Sequence, residues 1–185
     1  MKKVQIVASL LLLFTATIPS TQFAEPAKAD ALLSVPVKFQ NTQQYYYLVS
    51  RDSKKCAQVN QASKANGTPI TLWNCVNQNN VKWKVVPAGG GGYYFNLVAK
   101  HSNKCLHVQG AGLGNNAQIT QWDCVNQNNV KWEVFSAGNN ILYIRAVHSY
   151  KCLHVNGNAK NNGARISQWT CLNQPNVQWG LTPAP

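Results

Sequence analysis

Acidic side chains are scarce in this chain. Its 185 residues include 5 Asp and Glu against 17 Lys and Arg, and only 12% of residues are charged. Four of the acids, Asp30, Asp52, Asp123 and Glu133, lie beyond the first 29 residues. Glycoside hydrolysis needs two carboxylates flanking one bond, and so thin a supply excludes that pairing. No Gly-rich phosphate loop follows a strand and opens a helix. No Cys-x-x-Cys spacing occurs, and His107 and His154 each stand two residues from a single cysteine. A zinc site is therefore not expected, and no cofactor is implied. A sustained 3.6-residue apolar period is also missing beyond the leader, so helices are not expected. These absences together predict a protein that is not an enzyme.

The amino terminus carries one long apolar run. Lys2 and Lys3 precede Val4 through Thr15, which include Leu10, Leu11, Leu12, Leu13 and Phe14. Ala27-Lys28-Ala29 has the small-x-small form of a cleavage site. That order reads as a secretory signal peptide over residues 1–29, cut after Ala29. The run is shorter than the roughly 20 residues a membrane-spanning helix needs. No second run approaches that length, so no transmembrane segment is expected in the mature chain. Removing Lys2, Lys3, Lys28 and Glu25 leaves 14 basic and 4 acidic residues, a balance of +10. A basic surface favours polyanions. The cations are scattered, with no run longer than Lys54-Lys55, so no specific nucleic-acid partner is expected.

What the chain does have is repetition. Cys56-Ala57-Gln58-Val59 leads to Leu72-Trp73-Asn74-Cys75 and closes on Asn80-Val81-Lys82-Trp83. Cys105-Leu106-His107-Val108 leads to Gln121-Trp122-Asp123-Cys124 and closes on Asn129-Val130-Lys131-Trp132. Cys152-Leu153-His154-Val155 leads to Gln168-Trp169-Thr170-Cys171 and closes on Asn176-Val177-Gln178-Trp179. The leading cysteines are 49 and 47 residues apart. Short alternating apolar stretches precede each, such as Tyr46-Tyr47-Leu48-Val49, Phe95-Asn96-Leu97-Val98 and Leu142-Tyr143-Ile144-Arg145, and these read as strands. Asn- and Gly-rich turns separate them. Val35-Pro36-Val37-Lys38-Phe39 reads as an opening strand.

One such unit cannot bury its own apolar face, and an open solenoid wants distinct caps. Three equal units without caps predict a closed, all-β domain with pseudo-threefold symmetry: a single β-trefoil. The expected boundaries are a lead-in at 30–44 and a trefoil at 45–185, with repeats at about 45–88, 94–137 and 142–182. Equivalence of the three units also predicts one disulfide in each: Cys56–Cys75, Cys105–Cys124 and Cys152–Cys171. Each closes a loop of about 20 residues, worth roughly 3 kcal/mol in the chain-entropy description.

The recurring Cys-Leu-x-Val, Trp-x-Cys and Asn-x-x-Trp text resembles the ricin-type β-trefoil lectins over about residues 38–182. The resemblance implies a shallow sugar pocket in each repeat. It implies that Trp73, Trp122 and Trp169 stack on a sugar face and that Asn80, Asn129 and Asn176 add polar contacts. It places the closing Trp83, Trp132 and Trp179 in the core. The family's acidic position, two residues after the first cysteine, is occupied here by Gln58, His107 and His154. Its motif glutamine is replaced by Val81, Val130 and Val177. No copy keeps the usual carboxylate. A protonated His107 or His154 would favour an anionic ligand. His101, His148 and the matching Asp52 read as surface turn residues.

The function expected from these residues is a secreted, extracellular lectin. It would have up to three shallow sites and take glycans, anionic ones included, as partners. The alternative is a non-catalytic protein-interaction or toxin-accessory trefoil, or a polyanion-binding adhesin, with degenerate sugar sites.

Overall fold

The computed structural model describes residues 35–37, 39 and 43–185. The expected signal peptide and its cleavage site lie outside the described residues. A two-residue strand, β1 (Val35–Pro36), comes first. It pairs with the end of the second repeat, Val35 opposite Ser136 and Pro36 opposite Phe135, so the expected opening strand is short.

Each repeat contributes four strands. The first has β2 (Tyr45–Ser50), β3 (Cys56–Val59), β4 (Ile70–Trp73) and β5 (Lys82–Pro87). The second has β6 (Phe95–Ala99), β7 (Cys105–Val108), β8 (Ile119–Trp122) and β9 (Trp132–Ser136). The third has β10 (Leu142–Ala146), β11 (Cys152–Val155), β12 (Ile166–Trp169) and β13 (Trp179–Pro183). All pairings are antiparallel. The outer strands close a ring in the order β2, β5, β6, β9, β10, β13 and back to β2. The inner strands form three hairpins, β3–β4, β7–β8 and β11–β12. Bridges at Pro69–Thr120, Gln118–Ser167 and Thr71–Arg165 tie the hairpins into a cap. A six-stranded barrel closed by a hairpin triplet is the β-trefoil. Closure leaves the barrel without an open edge, which answers the pairing hazard of exposed strands.

The core repeats threefold as well. Trp83, Trp132 and Trp179 are buried, at 0%, 0% and 1% exposure. Their indole N–H groups donate to the carbonyls of Ala57, Leu106 and Leu153, each at 2.9 Å. The three rings thus bury large apolar area while their one polar atom is satisfied. The disulfides form as the repeat predicts: Cys56–Cys75, Cys105–Cys124 and Cys152–Cys171.

Neighbouring repeats are joined by side chains with no hydrophobic signature. Gln121 Nε2 donates to the carbonyls of Ser63 and Ala65 in the preceding repeat, at 2.8 and 2.9 Å. Gln168 does the same to Gly112 and Gly114, both at 2.8 Å. His101 and His148 lie in turns, as expected, but their rings do not face the surface. They are half-buried, and their Nε2–H groups donate across the seam to the carbonyls of Ser63 (3.0 Å) and Gly112 (3.1 Å). At the third seam Leu72 replaces the glutamine and Asp52 the histidine.

Candidate functional site

Strand alternation builds the site. In β3, Ala57 and Val59 point into the core, so Cys56 and Gln58 share the opposite face. Across the hairpin, Cys56 pairs with Trp73 and Gln58 with Thr71. Gln58 and Trp73 are therefore diagonal neighbours on one face. The same register places His107 beside Trp122 and His154 beside Trp169. Those rings stack, with centroids 5.5 and 5.3 Å apart and planes inclined 30° and 29°. The residue pairs expected from the sequence are thus brought together in every repeat. Trp73 and Trp122 are 38% and 39% exposed, whereas Trp169 is half-buried.

The asparagines lie deeper than a ligand-contacting surface group. Asn80, Asn129 and Asn176 are each 6% exposed. Asn80 Nδ2 donates to Gln58 Oε1 (3.1 Å) and to the Val59 carbonyl (3.0 Å). Asn129 Nδ2 donates to His107 Nε2 (2.9 Å) and to the Val108 carbonyl (3.3 Å). In these two repeats the asparagine is a positioning group that holds the residue under the tryptophan. The third repeat breaks the pattern. Asn176 Nδ2 reaches only the Val155 carbonyl, at 3.5 Å, and Asn176 Oδ1 is buried with no hydrogen bond.

The histidine tautomers follow from their partners. Ser167 donates its single hydroxyl proton to Asn156 Oδ1, so it accepts from His154 Nδ1–H at 3.2 Å. His154 Nε2 then carries no proton and is an acceptor. His107 has the same form: Nδ1 pairs with Thr120 Oγ1 at 2.9 Å, and Nε2 accepts from Asn129. Burial pushes both histidines below the ordinary imidazole range. The His148 charge adds to this at His107, and a hydrogen bond that the His154 ring donates to the Asn156 side chain partly offsets it at His154. The imidazolium form expected at mildly acidic pH is thus disfavoured in place.

A cleft of about 520 Å³ opens over the third repeat. His154, Trp169, Leu172 and Asn176 line it together with Asn116 from the second repeat. Sequence reasoning missed Asn116, because repetition reveals which residues are equivalent and not which repeats touch. A slightly larger cleft, about 570 Å³, lies between Arg51, Lys54, Asn139 and β13, and none of the expected sugar-binding residues lines it. Among the described residues no cluster of three or more His, Cys, Asp or Glu is arranged to hold a metal.

This threefold barrel, with a ring pair over a buried amide in two of its three hairpins, defines a class. Three overlapping stretches, 34–122, 90–169 and 128–185, match the ricin-type beta-trefoil lectin domain-like family, and the chain belongs to that family. It is similar to the designed threefold symmetric protein ThreeFoil, with 32% identity and a TM-score of 0.72 over 75% of this chain and 97% of that one. It also resembles 1,3Gal43A, an exo-beta-1,3-galactanase from Clostridium thermocellum (24% identity, TM-score 0.73, 77% of this chain and 30% of that one). A third similar structure is the C-half of the earthworm R-type lectin in complex with GalNAc (17% identity, TM-score 0.58, 76% of this chain and 98% of that one). The latter two likenesses speak for the fold alone. Among curated proteins, none matches this chain.

Proposed function

We propose that this protein is a secreted, non-catalytic lectin whose principal sugar site is the third repeat. The observation that carries the reading is Asn176 Oδ1, a buried acceptor without a partner in the wall of a cleft lined by Trp169 and His154. A buried acceptor left unpaired costs about 1–3 kcal/mol, and a ligand donor recovers that. His154 Nε2 is a second acceptor on the same wall. Two acceptors beside a flat ring suit a molecule with adjacent hydroxyls on one edge and C–H groups on one face, which describes a sugar. A carboxylate or phosphate would bring acceptor against acceptor, so the fitting ligand is neutral. The membership of a lectin-like family supports the same reading.

The first and second repeats keep the exposed tryptophan but satisfy Gln58 and His107 internally. They serve as weaker sites that add avidity on a multivalent surface. Binding of Trp169→Ala to a glycan array tests the assignment. The expected result is a loss of about tenfold or more, equivalent to 1.4 kcal/mol, with the Trp73→Ala and Trp122→Ala variants affected less. Full binding by Trp169→Ala would place the site elsewhere. Capture that survives excess glycan but fades with salt would favour the +10 polyanion adhesin instead.

A further inference from the structure

The third-repeat site departs from its siblings at both ends, and each departure sits on a seam between repeats. At one end stands Asn116. Its equivalents are Gly67 and Gly163, and all three adopt the left-handed backbone, with φ of 67°, 80° and 82°. All three N–H groups donate across a seam in the same way, to the carbonyls of Gln168, Gln121 and Leu72 at 2.9, 2.9 and 2.8 Å. The backbone is therefore equivalent, and Asn116 alone among them adds a side chain. Asparagine is among the few residues that tolerate this conformation. Arg165 Nη2 holds the Asn116 carbonyl at 2.8 Å.

At the other end a second cleft, about 330 Å³, opens beside the first. Asn158, Gln174 and Asn176 line both. Its remaining wall holds Asp52 and Lys160, an ion pair at 2.9 Å. The equivalents of Asp52 are His101 and His148, whose rings are turned inward onto backbone carbonyls. Of these three equivalent positions only Asp52 is charged, and its partner Lys160 has a side chain that is 62% exposed.

Resting on the sugar-site reading above, we infer that the third-repeat cleft is a groove for an oligosaccharide of at least two units. The inner unit lies on Trp169 between Asn116 and Asn176. The outer unit lies against Asp52 and Lys160. The two charges cancel, so the outer unit is neutral. The pair supplies both an acceptor carboxylate and a donor ammonium to its hydroxyls.

The probe is an array that prints each hexose and N-acetylhexosamine alone and as the end unit of disaccharides and trisaccharides. Wild type, Trp169→Ala, Asn116→Gly, Lys160→Ala and Lys160→Arg are compared. Asn116→Gly installs the sibling residue, and Lys160→Ala trims an exposed side chain, so both variants fold. Wild type should bind the longer glycans about tenfold more tightly than the matching monosaccharide. Lys160→Ala should lose most of that advantage, and Lys160→Arg should regain it. Asn116→Gly should weaken every length. Equal affinity for one unit and for three, or a Lys160→Ala variant with the full oligosaccharide advantage, overturns the groove and leaves the single-sugar site standing. Wild type that binds no glycan refutes the sugar-site reading, and the groove falls with it.

Discussion

Replacing Trp179 by alanine tests how the six tryptophans divide. The ring is 1% exposed, and its N–H satisfies the Leu153 carbonyl at 2.9 Å. A buried Trp→Ala change costs about 3–5 kcal/mol in lost burial and residual cavity. The orphaned carbonyl adds about 1 kcal/mol. The total, about 4–6 kcal/mol, is a large share of a typical domain's stability. For a domain of this size each kcal/mol lowers the midpoint by about 2–4 °C. Trp179→Ala should therefore melt about 10–20 °C below wild type. Trp169→Ala removes a ring that is only half-buried, so it forfeits part of that burial and about 1 kcal/mol of stacking on His154, and it should melt less far below wild type than Trp179→Ala. Thermal unfolding followed by near-UV circular dichroism, with disulfides intact, reads both. Equal shifts in the two variants, or a larger one for Trp169→Ala, would refute the split into core and ligand-facing rings.

Burial holds His107, His148 and His154 below the ordinary imidazole value, so they stay neutral in the folded chain and protonate readily in the unfolded one. Stability should be full above about pH 6.5 and fall as pH drops below it, because the unfolded state then binds more protons. Urea midpoints at pH 7.5 and 5.5 check this, and a midpoint that holds or rises at pH 5.5 contradicts it. Removing the Cys105–Cys124 bridge by a double alanine substitution should cost about 3 kcal/mol in chemical denaturation. Gln168→Leu, which installs the residue type of Leu72, strands the Gly112 and Gly114 carbonyls and should cost about 2 kcal/mol. A neutral cost there would show that the seams are held by apolar packing alone.

Repetition made much of this protein readable from its sequence. Equal cysteine spacing announced the three disulfides, and three uncapped units announced closure. The two tryptophans per unit divide as their neighbours suggest, since β alternation puts Trp73 on the cystine face while Trp83 enters the core. What stayed hidden lies between units. Nothing in the text of one repeat says that the loop ending at Gly67 lies against Trp122, or that the loop ending at Asn116 helps to wall the cleft over Trp169. Gln121 and Gln168 look like surface amides in sequence and are fully buried seam ties. Asn80 and Asn129 match a ligand-contacting position, yet their amides are held inward by Gln58 and His107. Asn176 occupies the equivalent position, yet its nitrogen does not reach His154 and its oxygen is buried without a partner.

That difference is the centre of the account, and the indole signals of the six tryptophans report on it directly. A ¹H–¹⁵N spectrum of the protein is titrated with the glycan that binds most strongly on the array. The Trp169 indole should shift with the largest amplitude, Trp73 and Trp122 less, and Trp83, Trp132 and Trp179 hardly at all. A stationary Trp169 while another indole moves would contradict the assignment of the third repeat as the principal site.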